Sequence, residues 1–166
     1  MAIREILRLG NPRLHDVSTE ITANDLSALK SVVDDLHDTM MAFRERWGCG
    51  RAIAAPQIGV AKRLIYMHID KPTVIVNPIL TDLSGAMIEL WDDCMSFPEL
   101  LVQVRRHKSL TLRFRDMQWQ EQEWRLEGDL AELIQHEYDH LDGILATQRA
   151  IDNRSIAMRS QRHLLE

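Results

Sequence analysis

The amino-acid sequence predicts an α+β fold in which antiparallel β-sheets pack around a C-terminal helix, with a second, long helix near the N-terminus. Apolar residues recur at helical spacing in two stretches, residues 26–43 and 130–141. Between them, apolar and polar residues alternate over short segments joined by tight turns, a pattern typical of antiparallel strands. A chain of 166 residues suits one domain, so we expect residues 1–166 to share a single core.

Composition argues against several classes of function. The net charge of −5 argues against DNA binding, which requires a basic surface. No apolar run is long enough to span a membrane and the N-terminus does not resemble a signal peptide, so we expect a cytoplasmic protein without a membrane partner. There, Cys49 and Cys94 are expected to be thiols, with at least one of them free to bind a metal. We expect Cys49 to be packed rather than reactive, and the protein to be a monomer rather than an oligomer.

The first third of the chain predicts an irregular arm followed by a long helix. Residues 1–18 combine scattered apolar side chains with the turn signal Gly10-Asn11-Pro12. Thr22 and Asp25 form a capping-box pattern, and the apolar stripe that follows them runs to Gly48. The stripe predicts one long amphipathic helix.

The middle of the chain predicts short strands. Residues 63–69 and 73–76 have strand composition, the second ending at Asn77-Pro78, and residues 86–91 are a further candidate. Apolar residues then alternate at positions 100, 102 and 104 and at 110, 112 and 114, and Trp124 and Leu126 close the set. From Asp152 onward the tail is predicted to be a weak short helix or a frayed end.

The C-terminal helix is predicted to span Asp129–Leu141. Gly128 interrupts the preceding pattern, Asp129 is a candidate cap with a capping-box partner at Glu132, and Gly143 is placed to end the helix. At about 100° per residue, the apolar residues share one side with His136, Glu137 and His140. The other side holds Glu132, Gln135, Asp139 and Asp142. Glu137 is therefore expected to be the one acid on the buried side.

This helix carries the motif His136-Glu137-x-x-His140. Residues four apart lie above one another on a helix, so both imidazoles can bind one cation. A carboxylate on the buried face must be paired, hydrogen-bonded or working near a metal, and in zinc-type hydrolases it takes a proton from the attacking water. The alternative is a chance recurrence in a chain with 7 histidines, and a third ligand is needed to decide.

Two earlier stretches carry further candidate site residues. Residues 50–59 are rich in small residues that permit close approach of a ligand, and Gln57 offers an amide donor to a carbonyl oxygen as it becomes negative. The alternative is a loop that happens to contain a polar residue. Cys94 lies among acids and small polar residues, unlike a structural cysteine, which prefers an apolar setting.

These three stretches, in this order and at these separations, resemble the motifs of the peptide deformylase family. Residues 50–57 resemble its Gly-x-Gly-x-Ala-Ala-x-Gln motif, residues 92–96 its Glu-Gly-Cys-Leu-Ser motif, and residues 136–140 its His-Glu-x-x-His motif. The similarity runs from the N-terminal arm to about residue 145 and includes Asn77-Pro78 and Trp91. Together the three motifs are highly specific.

The resemblance implies a metallohydrolase that removes the N-formyl group from nascent peptides beginning with formylmethionine. It implies that Cys94, His136 and His140 bind one divalent metal ion and that Glu137 is the general base and acid. Three protein ligands with an open fourth position are typical of a catalytic centre. The family typically uses Fe2+, which is the ion that we expect, with Zn2+, Ni2+ or Co2+ as alternatives in the purified protein.

The resemblance also implies how substrate is held. Gln57 and the backbone N–H of Met95 would bind the formyl oxygen, beside a wall formed by Gly50, Arg51 and Ala52. N-formylated peptides are therefore the expected substrate, and the ribosome is a candidate for transient contact.

The second motif departs from the family pattern. Asp92 keeps the acid that pairs in the family with a downstream arginine, and Arg106 stands at the matching position. If this ion pair is buried, we expect it to hold the cysteine segment in place. The alternative is a surface ion pair that contributes little to stability. Asp93 replaces a glycine, whose backbone conformation aspartate reaches only at a cost. It either reshapes the mouth of the site toward a cationic or polar substrate or simply faces water.

Further departures concern substrate binding. Arg51 occupies a position that is commonly aliphatic in the family, and an arginine there can bind a carboxylate. Ala52 replaces the second glycine of the first motif, and Leu101 stands where the family often supplies an arginine to the substrate backbone. We therefore predict that formamide hydrolysis is retained but that the preferred substrate differs from an ordinary nascent peptide.

Three functions follow from these residues. The leading one is metal-dependent hydrolysis of N-formyl groups from nascent peptides. The second is an amidase acting on another N-formylated or N-acylated small molecule. The third is a catalytically weak metal-binding paralogue, against which Glu137 and Gln57 speak because both are retained.

Overall fold

The structure is a computed structural model that describes residues 2–165, and it confirms the predicted α+β class. Strands β1 to β8 span Ala52–Ala54, Leu64–His68, Pro72–Thr81, Met87–Asp92, Leu100–His107, Ser109–Arg115, Glu121–Glu127 and Ile156–Met158. Helices α1 and α2 span Leu26–Trp47 and Asp129–Leu141. The strands form two antiparallel sheets with the orders β1-β2-β3-β6-β7 and β4-β5-β8. Neither helix of the described chain combines the length and apolar character that a membrane crossing requires.

Helix α1 confirms the predicted long helix near the N-terminus. The Asp25 carboxylate accepts hydrogen bonds of 2.8 Å from the backbone N–H and the hydroxyl of Thr22, which organises the turn that precedes the helix. Gly48 ends the helix in the left-handed region, with φ of 69°. The apolar face, including Leu36 and Met40, packs against the larger sheet. The helix therefore covers one part of that sheet.

Helix α2 has the bounds that the sequence predicted, although its cap differs. Gly128 occupies the N-cap position and Asp129 is the first helical residue, so the predicted capping box of Asp129 and Glu132 is wrong. Ile134 and Leu141 pack into a core cluster formed with the larger sheet. This packing fixes the face of α2 that carries the histidines.

The expectation that Glu137 is the one acid on a buried side of α2 is wrong. Glu132 and Asp139 are buried as well, and so is Gln135. The physical reason is that neighbouring elements enclose the helix and supply polar partners. Gln135 exchanges hydrogen bonds of 3.0 and 2.8 Å with the backbone of His107 on β5. The polar side of α2 therefore belongs to the interior.

The predictions for β3 and for the tail also need correction. Strand β3 continues through Asn77-Pro78, because a register shift between Val76 and Ile79 lets the chain pass with Asn77 at a φ of 48°. The Asn77 side chain holds this bulge by bonding both the N–H and the C=O of Ile21. Of the two alternatives for the tail beyond Asp152, the short helix is present as a 3-10 helix, Arg159–Leu164, but the prediction missed β8, which pairs with β5.

The N-terminal arm holds two segments that carry candidate site residues. The N–H of Leu7 donates to the carbonyl of Gln57 at 2.8 Å, and the N–H of Leu9 donates to the carbonyl of Ser96 at 2.9 Å. These bonds satisfy one backbone carbonyl in the segment that contains Gln57 and one in the segment that contains Cys94. The arm thus links the first and second motifs.

We expect Gly143→Ala to destabilise the fold. Gly143 has a φ of +70°, and a Cβ there would lie 2.4 Å from the backbone oxygen of His15. Both the conformation and the contact oppose a side chain, so the free energy of unfolding should fall by more than about 1 kcal/mol. Gly85→Ala is the matched control, because a Cβ at Gly85 meets nothing within 4 Å. Equal denaturant midpoints for the two variants would contradict this expectation.

Candidate metal centre and active site

The structure brings the three predicted metal ligands together. Cys94 lies just after β4, and His136 and His140 lie one turn apart on α2. Their ligand atoms lie within 4.8 Å of one another, and the Cys94 Sγ is 3.3 Å from the Nε2 of His140. All three side chains are buried. A thiol and two imidazoles therefore converge on one point, as a metal ion requires.

The chemistry of this donor set fits a divalent transition-metal ion. One sulfur and two ring nitrogens are ligands that zinc and iron accept, and three protein ligands leave a position open. Burial lowers the pKa of His140 well below its usual value, whereas Asp92 and Cys94 outweigh burial and raise the pKa of His136. Within the described chain, the buried Nδ1 of His140 has no hydrogen-bond partner.

A buried acid orients His136. The ring Nδ1 lies 2.8 Å from the Oδ2 of Asp92, which leaves Nε2 for the metal. The same oxygen accepts a 3.0 Å bond from Arg106, whose other terminal nitrogen pairs with Asp139 at 2.8 Å. Burial opposes charge on Asp92, but His136 and Arg106 outweigh it and lower the pKa of that carboxyl to about 2. The expected Asp92–Arg106 pair is thus buried rather than at the surface.

Glu137 is a buried carboxyl group without a partner for one of its oxygens. The residue is 4% exposed, and its Oε2 has no hydrogen bond within the described chain. Burial raises the pKa of Glu137 to about 7. Such a group can both accept and return a proton near neutral pH.

Gln57 points its amide donor toward the metal ligands. Its Oε1 accepts a 2.9 Å bond from the N–H of Ala54, which orients the side chain. The Nε2 consequently faces Ser96 Oγ at 3.2 Å and Cys94 Sγ at 3.6 Å. An N–H group therefore points toward the metal ligand Cys94.

The first motif approaches the cysteine segment closely. A Cβ on Gly50, which has a φ of +120°, would lie 2.8 Å from the terminal methyl of Met95. Arg44, in the last turn of α1, donates a hydrogen bond of 2.8 Å to the carbonyl of Gly50 and one of 2.6 Å to the carbonyl of His68. These contacts place Gly50 and Ala52 along the wall of a cavity of about 760 Å³ that includes Cys94, His136 and Glu137.

Charged side chains line the same cavity beside Glu137. Arg51 forms an ion pair with Asp129 and lies 3.8 Å from a carboxylate oxygen of Glu132. Burial raises the pKa of Glu132 to about 7, and Asp92 adds to this effect. The guanidinium of Arg51 is thus already engaged by acids of the chain.

Asp93 lies at the cavity wall and pairs with the tail. Its carboxylate accepts a 2.7 Å bond from Arg159, the residue after β8. The expected backbone cost is absent, because Asp93 is not among the described non-glycine residues with positive φ. Arg159 also lies 3.7 Å from the Cys49 sulfur, whose pKa is raised by burial and by Asp93. Leu101 is fully buried in β5 and does not line the cavity.

Sequence reasoning missed several charged residues of this cavity, among them Glu132 and Arg159. Glu132 precedes His136 by four residues, a spacing that places both on one helical face and could have revealed it. Arg159 gave no such signal, because its position depends on the pairing of β8 with β5.

Comparison with known proteins agrees with this geometry. The family model described as polypeptide deformylase matches residues 3–155. Peptide deformylase 1 of Prochlorococcus marinus is 36% identical over 167 residues, covering 93% of this chain and 84% of that protein. The peptide deformylase structure from Thermotoga maritima matches with a TM-score of 0.84 and 28% identity, covering 92% of this chain and 100% of that one.

A further match is a class I type b peptide deformylase structure from Acinetobacter baumannii with Met-Ala-Ser bound. It has a TM-score of 0.81 and 28% identity, covering 89% of this chain and 98% of its own. The resemblance found in the sequence is confirmed: the chain belongs to the polypeptide deformylase family.

Proposed function

We propose that this protein is a peptide deformylase that hydrolyses the N-formyl group of nascent peptides and releases formate. The observation that carries the proposal is the buried Cys94-His136-His140 cluster with the carboxyl group of Glu137 in the same cavity. An amidase for other N-acylated small molecules is not favoured, because the chain matches the deformylase family over most of its length. A catalytically weak paralogue is not favoured either, since the chain retains Glu137 and Gln57.

The metal that we propose is Fe2+, held by Cys94, His136 and His140. When bound, such an ion supplies Lewis-acid chemistry and makes water a stronger nucleophile. A thiolate and two imidazoles also suit Zn2+, Ni2+ and Co2+, so the purified protein can contain any of them. Asp92 and Arg106 act as positioning residues, because they fix the ring of His136.

The proposed reaction begins when the oxygen of water attacks the formyl carbon. Glu137 accepts a proton from this water and later donates one to the leaving nitrogen as the carbon–nitrogen bond breaks. The products are formate and a free amine. The raised pKa of Glu137 and its unpartnered Oε2 support this role as base and acid.

Gln57 and Met95 are the proposed binding groups for the formyl oxygen. The amide N–H of Gln57 and the backbone N–H of Met95 donate hydrogen bonds to that oxygen as it gains negative charge. The support for Gln57 is its fixed orientation, with Oε1 held by Ala54. Gly50, Arg51 and Ala52 are the proposed substrate-binding wall.

We expect Gln57→Ala to lower kcat by about 10² to 10³-fold, because it removes one preorganised donor to the oxyanion. The variant should retain its metal, since Gln57 is not a ligand. Formate release and metal content measured on the same sample check this expectation. Gln161→Ala, in the exposed tail, is the control and should match the parent. A Gln57 variant with parental kcat would remove the residue from the mechanism.

The proposed function is tested by comparing two peptides that differ only in the acyl group. Protein purified without oxygen and loaded with ferrous iron is mixed with formyl-Met-Ala-Ser or acetyl-Met-Ala-Ser, and formate, acetate and free amine are measured. We expect formate and amine in equal amounts from the first peptide and little acetate from the second. Comparable acetate release would favour the broader amidase, and absence of both acids from metal-loaded protein would favour a binding protein.

We further propose the cytoplasm as the compartment, because Cys49 and Cys94 are both unpaired thiols and a reducing compartment keeps them so. A monomeric state and transient ribosome contact are also proposed. Light scattering during size exclusion tests the first, and cosedimentation with ribosomes tests the second.

A further inference from the structure

Glu132 is a buried acid in the cavity wall that the proposed mechanism does not use. Its side chain is 6% exposed. One carboxylate oxygen lies within 4.8 Å of an Asp92 oxygen and a ring nitrogen of His136. Glu132 precedes His136 by four residues, so about one turn of α2 separates the two along the helix. The acid is therefore adjacent to the reacting groups without being one of them.

The charge of Glu132 is only partly compensated. Its ion-pair partner is Arg51 at 3.8 Å, a distance longer than a hydrogen bond, and Arg51 is also paired with Asp129. Two carboxylates thus share one guanidinium at this wall. Within residues 2–165, the structure gives the Glu132 carboxylate no hydrogen bond. A buried carboxylate without a hydrogen bond is stabilised when a ligand supplies a hydrogen-bond donor.

Two other arginines of the cavity are held elsewhere, whereas Arg162 lines it without an ion pair to a described residue. Arg159 binds Asp93 and the carbonyl of Pro98, and Arg44 binds the carbonyls of Gly50 and His68. Asp92 is held by Arg106 and His136. Apart from Glu137, which the proposed reaction uses, Glu132 is the acid lining this cavity to which the described chain gives no hydrogen bond.

The first side chain of a formylated substrate begins close to the reacting groups. Its Cα is bonded to the formamide nitrogen, so the first side-chain atom lies three bonds from the carbon that water attacks. A side chain of four or five atoms extends about 5–6 Å, comparable to one turn of α2. Its end can thus reach Glu132 when the formyl group lies beside Glu137.

We propose that Glu132 binds the first side chain of the substrate and selects a cationic end group, such as the ammonium of lysine, over an apolar side chain of similar length. The inference rests on the proposed function and names the substrate class that its site prefers. It replaces the earlier expectation that Arg51 receives an acidic group, because Arg51 is engaged by Asp129 and Glu132. Formyl-Met peptides remain substrates, but poorer ones.

The test compares kcat/KM for four tripeptides, formyl-X-Ala-Ser, in which X is lysine, norleucine, methionine or glutamate. The iron-loaded parent should prefer lysine over norleucine by at least about tenfold, the effect of one hydrogen bond to a charged group. Glu132→Gln should lower this ratio by a similar factor while retaining its metal. Glu127→Gln removes the same charge from a side chain that is 72% exposed, and should leave the ratio unchanged.

Arg51→Met provides a second variant, useful if Glu132→Gln folds poorly. It leaves Glu132 without its guanidinium, so the lysine-to-norleucine ratio should rise. If Arg51 only held the first motif against α2, its replacement would leave the lysine-to-norleucine ratio unchanged. A parent that prefers norleucine or methionine, or a ratio unchanged in both variants, overturns the inference while leaving the proposed function intact. A preference for glutamate overturns it in favour of an arginine of the cavity wall, Arg51 or Arg162. Formate from none of the four peptides contradicts the proposed function itself.

Discussion

Replacing Glu137 with alanine is expected to lower kcat for formate release by about 10² to 10⁴-fold, the range typical of general acid–base groups. The carboxyl is buried, its Oε2 is unpartnered, and its pKa is raised to about 7. A group with these properties can take a proton from water and return it to the amine in one cycle. Alanine can do neither.

The expectation is checked by measuring formate release and metal content on one preparation. Cys94, His136 and His140 remain in the variant, so the metal should be retained. Glu127→Ala, an exposed acid of β7, is the control and should keep parental kcat. A Glu137→Ala protein that holds its metal and turns over at the parental rate would remove Glu137 from the mechanism.

Replacing Arg106 with methionine is expected to lower the free energy of unfolding by about 3–5 kcal/mol, because it breaks a buried ion-pair network. Arg106 is 4% exposed and bonds both Asp92 and Asp139. Its loss leaves the negative charges of two buried carboxylates less well neutralised, although Arg149 still contacts Asp139. For a chain of this size the melting temperature should fall by roughly 10 °C.

Arg105→Met is the matched control, since it removes the same group one residue earlier. Arg105 is 55% exposed and pairs with Glu89, which is 48% exposed. A pair so accessible to water contributes about 0–1 kcal/mol. Similar melting temperatures for the two variants would contradict the assigned importance of the buried network. A loss of metal in Arg106→Met alone would add support for Asp92 as the residue that positions His136.

Much of the fold could be predicted from the sequence, because its signals are local. The periodicity and flanking glycines of residues 129–141 predict the observed bounds of α2, and Thr22 with Asp25 predicts the start of the turn before α1. Strand β8 could not be predicted, since three residues carry little periodicity and its existence depends on pairing with β5. The passage of β3 through Asn77-Pro78 likewise depends on hydrogen bonds to the distant Ile21.

In the candidate site, too, residue identities could be predicted from the sequence and tertiary contacts could not. Cys94, His136 and His140 could be selected as ligands from residue type and spacing, and the structure brings them together. The partners of Arg51 and Asp93 could not be predicted, because Asp129 and Arg159 reach them only through tertiary structure. A helical wheel assumes that the polar side of α2 faces water. Glu132 and Asp139 instead lie in the interior, where Arg51 and Arg106 are their respective partners.

Anaerobic titration of metal-free protein with ferrous iron shows whether deformylation depends on a single metal site, with initial rates of formate release from formyl-Met-Ala-Ser as the readout. We expect activity to rise linearly and to stop at one iron per chain, because Cys94, His136 and His140 form one site. Cys94→Ala should neither bind iron at this stoichiometry nor gain activity. Formate release by the metal-free protein at the rate of the loaded one, or full activity of Cys94→Ala, would contradict a metal-dependent mechanism at this site.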